Sequence, residues 1–157
     1  NACEKFRHIP TTVINFVEGT RFTEAKREAT RSRYRHLMPP KAAGLAFTLA
    51  AMGEQFDSLI NVTIRYPDNS ETPFKDFLMG RMKRIQVRIE ELPVDEALVG
   101  DYFNDKQFKR GFQAWLNQRW QEKDEVLEGW QRAQETAAVA VREGARASSG
   151  NRSSLNT

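Results

Sequence analysis

The sequence contains a single cysteine, Cys3, and only two histidines, His8 and His36, in 157 residues. One cysteine excludes a disulfide bond within the chain and is typical of a reducing compartment. Because these three residues lack the spacing of metal ligands, we predict no metal site. The sequence also has no apolar run near the ~18–20 residues that a membrane-spanning helix needs. No signal peptide is visible at its start.

The sequence has little excess charge of either sign, with 24 Lys and Arg residues against 21 Asp and Glu residues, a net charge of +3. Its length is sufficient for one domain with a hydrophobic core. Basic residues are concentrated locally, however, and six of them lie from Arg21 to Arg35 against two glutamates. Such a run fits either a solvated surface or a basic rim that attracts anionic lipid headgroups or the phosphates of CoA.

The segment Phe16–Arg21 carries the clearest binding chemistry. The apolar run Thr11–Val17 predicts a buried strand that ends where Glu-Gly-Thr-Arg begins a loop. Glycine lets backbone N–H groups approach a ligand, threonine adds a hydroxyl, and arginine offers a fork that matches phosphate or carboxylate. The glutamate can bind hydroxyls or orient the arginine. The candidate site residues are therefore Glu18, Gly19, Thr20 and Arg21. A strand-ending turn with a surface ion pair is the alternative.

Hydrophobic periodicity predicts an α/β class with the order strand, helix, strand, strand, helix. After Thr11–Val17, the predicted elements are a short helix Thr23–Glu28 capped by Thr23, a helix Lys41–Met52, strands Leu59–Tyr66 and Arg84–Glu91, and a helix Pro73–Met82. The predicted buried faces carry Ile60, Val62 and Ile64 on one strand and Ile85, Val87 and Ile89 on the other. Lys41 begins its helix, where free N–H groups favour an anion, so we add it to the candidate site.

The last predicted element is an amphipathic helix that begins at Asn104 or Asp105 and carries an aromatic stripe as far as Trp130. Its expected solvent-facing side comprises Glu122, Lys123, Asp124, Glu125 and Glu128. We divide the chain into residues 1–134, the domain, and residues 135–157, a frayed helix and disordered tail. For Pro73–Met82 we favour docking on the core over the alternative of lying on a membrane surface.

The blocks Phe16-Val-Glu-Gly-Thr-Arg-Phe-Thr-Glu24, Leu37-Met-Pro-Pro-Lys41 and Asn61-Val-Thr-Ile-Arg-Tyr66 resemble the glycerophospholipid acyltransferases, in particular the lysophosphatidic acid and lysocardiolipin branch. The resemblance implies acyl transfer from acyl-CoA or acyl-carrier protein to a lysophospholipid such as 1-acyl-glycerol 3-phosphate. It assigns the Glu18–Arg21 block to glycerol phosphate. Acyl-CoA is then a co-substrate, and no cofactor is required.

The catalytic signature of that family is a histidine, four residues, and an aspartate. The corresponding position is Val13 after His8 and Lys41 after His36, so this chain carries no catalytic residues of that signature. Asn1–Phe6 also looks like the end of a helix already under way. We therefore expect a piece of a longer protein, an incomplete acyltransferase fold whose mixed sheet, flanked by helices, is partly supplied by an N-terminal half.

The resemblance implies that the intact protein works at a membrane surface, which we expect to be the cytoplasmic face of a bacterial inner membrane. We expect the chain alone to be inactive. The alternative function is a non-catalytic phosphoanion-binding or adaptor module. Nucleic acid is not an expected partner, because the aromatic residues lie on apolar stripes and do not interleave with the arginine cluster. The sequence leaves the oligomeric state open.

Overall fold

The structure, a computed structural model, describes residues 12–68 and 72–150. Its elements are the helices α1 (Glu24–Thr30), α2 (Ala42–Met52), α3 (Pro73–Leu78) and α4 (Lys106–Gly150), the strands β1 (Ser58–Arg65) and β2 (Gln86–Pro93), and 3₁₀ turns at Gly53–Gln55 and Glu96–Leu98. Helices and a two-stranded sheet confirm the α/β class at a coarse level. The larger mixed sheet and the incomplete-fold hypothesis stay predictions. Asn1–Phe6 lies outside the described residues.

The chain divides into two compact units. The first contains the described residues up to Thr63 together with Val87–Asp124, and it holds all five candidate site residues. The second contains Ile64–Gln86 and the chain from Glu125 onward. The domain boundary predicted at residue 134 stays a prediction.

Two side-chain pairs show the direction of the strands. Asn61 Nδ2 donates to Glu90 Oε2 at 3.0 Å, and Arg65 Nη1 donates to Gln86 Oε1 at 3.1 Å. Residue numbers rise along β1 while those of the partners fall along β2, so the strands are antiparallel.

The buried faces predicted for the two strands are wrong. The residues of both predicted faces are exposed, namely Ile60, Val62, Ile64, Ile85, Val87 and Ile89. Alternate residues of a strand point to opposite sides, and the inward side of β1 carries Thr63, which is buried. Polar side chains on that side are paired across the sheet, as Asn61 is with Glu90, so they can face inward without losing their hydrogen bonds.

The strand predicted over Thr11–Val17 is also wrong for the described residues 12–17, which form no strand. Ile14 and Phe16 are 76% and 83% exposed. A strand needs a neighbour that pairs its backbone N–H and C=O groups. In the described part of the chain the sheet contains only β1 and β2, so this apolar run has no strand beside it.

The core of the first unit lies between α2, the chain before it, and α4. Its buried side chains are Tyr34, Leu37, Met38, Ala42, Ala46, Leu49, Met52, Leu98, Tyr102, Phe112, Leu116 and Trp120. The aromatic stripe of α4 is thus confirmed as core at Phe112, Leu116 and Trp120. Helix α2 is apolar nearly all round in sequence but is not buried all round, because Phe47 is exposed. Asp105 caps the start of α4, and its Oδ1 accepts hydrogen bonds from the backbone N–H groups of Gln107 and Phe108 at 2.7 and 3.0 Å.

The predicted ends and surfaces of the helices need three corrections. The helix at Pro73 ends at Leu78, and its apolar side chains are exposed, so docking on the core is wrong in the described part of the chain. Asp124 is buried, and it does not belong to the solvent-facing side of α4. Residues 135–150, predicted as a frayed helix, continue α4 to Gly150, while residues 151–157 lie outside the described residues.

Over residues 12–68 and 72–150, none of the helices combines the length and apolarity required to cross a membrane.

Candidate functional site

The candidate loop is a tight turn fixed by Gly19. Its backbone N–H donates to the Phe16 carbonyl at 2.9 Å, and its φ angle is +65°. This left-handed conformation costs little for glycine and about 1–2 kcal/mol for other residues. The turn directs the chain from the exposed apolar segment into Thr20 and Arg21, ahead of α1. That helix begins as predicted, with Thr23 Oγ1 accepting from Lys26 N at 3.2 Å.

Lys41 lies against this turn. Its backbone N–H donates to the Val17 carbonyl at 2.8 Å. A Cβ placed on Gly19 would be 3.1 Å from Lys41 Nζ and 3.3 Å from its Cδ. The structure therefore brings together two residues that the sequence separates by 21 intervening positions, Gly19 and Lys41. Lys41 is the N-cap residue of α2, and its side chain is exposed.

A second lysine joins the turn from α1. Lys26 Nζ donates to Thr20 Oγ1 at 2.8 Å and to the Arg21 carbonyl at 3.4 Å. Arg21 itself is exposed, and its guanidinium has no ion pair or hydrogen bond with any residue of the described ranges. The turn thus carries three cationic side chains, Arg21, Lys26 and Lys41, and none of them forms an ion pair with a carboxylate of the described ranges.

Within the described ranges Glu18 forms no ion pair with these three cations. Its Oε2 accepts a hydrogen bond from the backbone N–H of Met38 at 2.9 Å, so the carboxylate holds the segment that leads to Lys41. Burial raises the pKa of Glu18, and the Met38 N–H and the charge of Lys123 oppose that rise. Burial likewise lowers the pKa of Lys123, against the charges of Glu18 and Glu90. Within the described ranges Glu18 does not bond to Arg21, so its predicted orienting role is not seen.

Helix α4 also holds this segment. Asp124 Oδ2 and Oδ1 accept from the backbone N–H groups of Arg35 and His36 at 2.8 and 2.7 Å. Trp120 Nε1 donates to the Met38 carbonyl at 3.0 Å. The chain between α1 and Lys41 is therefore fixed by side chains distant in sequence.

Sequence reasoning missed these supporting residues, although one signal was present. Buried residues recur at four-residue spacing along α4, and Phe112, Leu116, Trp120 and Asp124 form that row. Asp124 occupies a core position, and a buried carboxylate at a core position needs donors. The two backbone N–H groups supply them.

The arrangement can bind an anion, and it contains no arranged nucleophile and base. In the described ranges no group of three or more His, Cys, Asp or Glu side chains is placed to hold a metal ion. A cavity of about 320 Å³ lies elsewhere in the first unit, between Ala46, Phe47 and Ala50 of α2 and residues 99–103. None of the five candidate residues lines it. The assignment of Glu18, Gly19, Thr20, Arg21 and Lys41 to substrate binding stays a prediction.

Curated relatives of the chain are acyltransferases. Lysocardiolipin acyltransferase 1 of Mus musculus is 26% identical over 131 residues, which cover 76% of this chain and 33% of the relative. An uncharacterized acyltransferase of Saccharomyces cerevisiae is 29% identical over 140 residues, 75% of this chain and 33% of the relative. The human 1-acyl-sn-glycerol-3-phosphate acyltransferase delta is 25% identical over 123 residues, 73% of this chain and 30% of the relative.

The chain spans about a third of the length of these relatives. No family model matches the chain, and no solved structure matches it. The relatives bear out the resemblance that the Glu-Gly-Thr-Arg block and the later blocks indicated. Over about three quarters of its length the chain is similar to lysocardiolipin and 1-acyl-sn-glycerol-3-phosphate acyltransferases.

Proposed function

We propose that this chain is the glycerol-phosphate-binding part of an acyltransferase of phospholipid biosynthesis. The intact protein transfers an acyl group from acyl-CoA or acyl-carrier protein to a lysophospholipid such as 1-acyl-glycerol 3-phosphate. The observation that carries this proposal is the turn at Gly19, where the exposed guanidinium of Arg21 and the ammonium of Lys41 stand without a described carboxylate partner.

In this proposal the phosphate monoester of the lysophospholipid meets the turn. Arg21 pairs with two phosphate oxygens through its planar fork, and Lys41 supplies a second positive charge. Because Gly19 has no side chain, the phosphate can approach the backbone of the turn. A side chain at this position would also meet Lys41. Glu18 acts indirectly, since its hydrogen bond with the Met38 N–H fixes the segment that leads to Lys41.

The chemical step is attack of the free lipid hydroxyl on the thioester carbonyl. The new C–O bond forms, the C–S bond breaks, and the thiol of the acyl donor leaves with the proton that the hydroxyl loses. A general base has to take that proton. Neither His8 nor His36 has an aspartate at the spacing of the family signature, so we propose that another part of the intact protein supplies the base. The thioester is already activated, and the reaction needs no further cofactor.

The test uses the intact protein and the variant Arg21→Ala. Loss of a charge-assisted hydrogen bond costs about 1.5–3 kcal/mol, so kcat/KM for 1-acyl-glycerol 3-phosphate should fall roughly 10- to 100-fold. The KM for the acyl donor should not change. Arg110→Ala is the matched control, because Arg110 is an exposed arginine of α4 in the same unit. Unchanged kcat/KM in Arg21→Ala would refute the proposal.

A further inference from the structure

Helix α3 exposes apolar side chains, which a surface helix of a globular protein usually buries. Its exposed side chains include three large apolar ones: Phe74, Phe77 and Leu78 are 64%, 62% and 68% exposed, and the following Met79 is 57% exposed. Phe74, Phe77 and Leu78 have the i, i+3, i+4 spacing of one helix face. The acidic side chain of the helix, Asp76, is only 13% exposed. We call Phe74, Phe77, Leu78 and Met79 the α3 patch.

The α3 patch stands on an ordered turn. Arg81 donates to Asp76 Oδ1 from Nε at 3.0 Å and from Nη2 at 2.8 Å. The helix ends at Leu78, and Gly80 follows it with a φ angle of +66°. The backbone N–H of Gly80 donates to the Phe77 carbonyl at 3.1 Å and that of Arg81 to the Asp76 carbonyl at 2.8 Å, the hydrogen bonds of a Schellman motif. A specific structure therefore presents these apolar side chains to the outside.

The surroundings of the patch are basic. Between Thr72 and Arg84 the sequence has four cationic residues and one acidic residue, which gives 4 − 1 = +3. The cationic residues are Lys75, Arg81, Lys83 and Arg84. Lys75 and Lys83 are exposed, and neither forms an ion pair with a residue that the structure describes. Apolar side chains surrounded by cations complement an anionic lipid surface, in which acyl chains lie beneath negative headgroups.

We propose that the α3 patch inserts into the headgroup region of a bilayer that contains anionic lipid, while Lys75 and Lys83 contact the headgroups. A fluid lipid surface brings negative headgroups to both lysines, whereas a protein partner would need carboxylates at matching positions. This inference rests on the proposed function, because a lysophospholipid substrate resides in a bilayer and the enzyme has to reach it there.

The test is flotation of the full chain with vesicles of phosphatidylcholine alone and with vesicles that also contain phosphatidylglycerol. The wild-type chain should bind the second kind and lose that binding as salt is raised. The double variant Phe74→Gln/Phe77→Gln should bind these vesicles at least about tenfold more weakly than the wild type. Lys75→Gln/Lys83→Gln should weaken binding to the phosphatidylglycerol vesicles. Phe47→Gln is the matched control, because Phe47 is a helical phenylalanine that is 61% exposed, and it should bind as the wild type does.

A second measurement leaves the patch almost intact. The variant Cys3→Ser/Met79→Cys carries one thiol, to which an environment-sensitive fluorophore is attached. Its emission should shift to the blue on phosphatidylglycerol vesicles, and no shift would overturn the proposal. Equal vesicle binding by Phe74→Gln/Phe77→Gln and the wild type would also overturn it.

The failure of this inference is distinguishable from failure of the proposed function. Soluble glycerol 3-phosphate probes the turn at Gly19 without a membrane, and Arg21→Ala should abolish its binding while leaving vesicle flotation unchanged. Vesicle binding that is lost only in Arg21→Ala would contradict the role of the α3 patch. If the chain bound glycerol 3-phosphate but no vesicles, the proposed role of the α3 patch would be refuted and the proposed function would stand.

Discussion

The side chain of Lys41 lies across Gly19, so close that a Cβ on Gly19 would be 3.1 Å from Lys41 Nζ. The glycine is needed twice, once for its φ angle of +65° and once for the space that Lys41 occupies. The two residues join the loop after Val17 to the start of α2, and they place a cation where the turn presents Arg21.

Gly19→Ala should therefore destabilise the protein by about 1–2 kcal/mol, because alanine is strained at positive φ. Urea denaturation measures the free energy of unfolding. Gly111→Ala is the control, since a Cβ at this α4 glycine meets no atom within 4 Å, and it should stabilise by about 0.5–1 kcal/mol. Equal free energies of unfolding for Gly19→Ala and the wild type would contradict the account of the turn.

Asp124→Ala should lower the free energy of unfolding by about 1–3 kcal/mol or more. It leaves the backbone N–H groups of Arg35 and His36 without their carboxylate acceptor. The same denaturation experiment measures it. Asp57→Ala removes an exposed aspartate and should change the free energy of unfolding by less than about 0.5 kcal/mol. A similar effect in both variants would mean that Asp124 does not hold the segment before Lys41.

The contribution of Glu18 to the free energy of unfolding should decrease as the pH rises. Because burial raises its pKa, the folded protein binds this proton more tightly than the unfolded chain does. That stabilising contribution is fully present below the ordinary pKa of glutamate and is lost as the pH rises through the folded-state pKa.

The comparison for this prediction is Glu18→Gln, which keeps an oxygen acceptor for Met38 N and cannot titrate. The free energy of unfolding of the wild type, minus that of Glu18→Gln, should fall as the pH rises through that window. Glu54→Gln, at an exposed glutamate, controls for the loss of a negative charge. A difference that grows with pH would show that the carboxylate is stabilised in its charged form.

Local patterns predicted the helices well because the signals are local. Thr23 and Asp105 cap the helices that the sequence places after them, and the four-residue spacing of Phe112, Leu116 and Trp120 predicted the core face of α4. The same patterns failed where a distant partner decides. The apolar segment before Glu18 has no strand beside it in the described part of the chain, and alternation gave the wrong face of β1 and β2.

In the candidate site, too, local sequence predicted some features, while others depend on residues distant in the chain. Chemistry and resemblance together selected Glu18, Gly19, Thr20, Arg21 and Lys41, and the structure brings Lys41 onto Gly19. The inward direction of Glu18 depends on Met38 and Lys123, which lie 20 and 105 positions further along the chain. No local pattern contains that information. Asp124 could have been found from its place in the α4 row, but only if a carboxylate had been accepted at a core position.

The most direct measurement of the central claim is a titration of the ¹⁵N-labelled chain with glycerol 3-phosphate, followed by the amide resonances. We predict saturable shifts of the Gly19, Thr20, Arg21 and Lys41 amides in the wild type, which disappear in Arg21→Ala and persist in Arg110→Ala. Absence of shifts at the turn, or equal shifts in Arg21→Ala and the wild type, would contradict the claim that this turn binds the phosphate of a lysophospholipid.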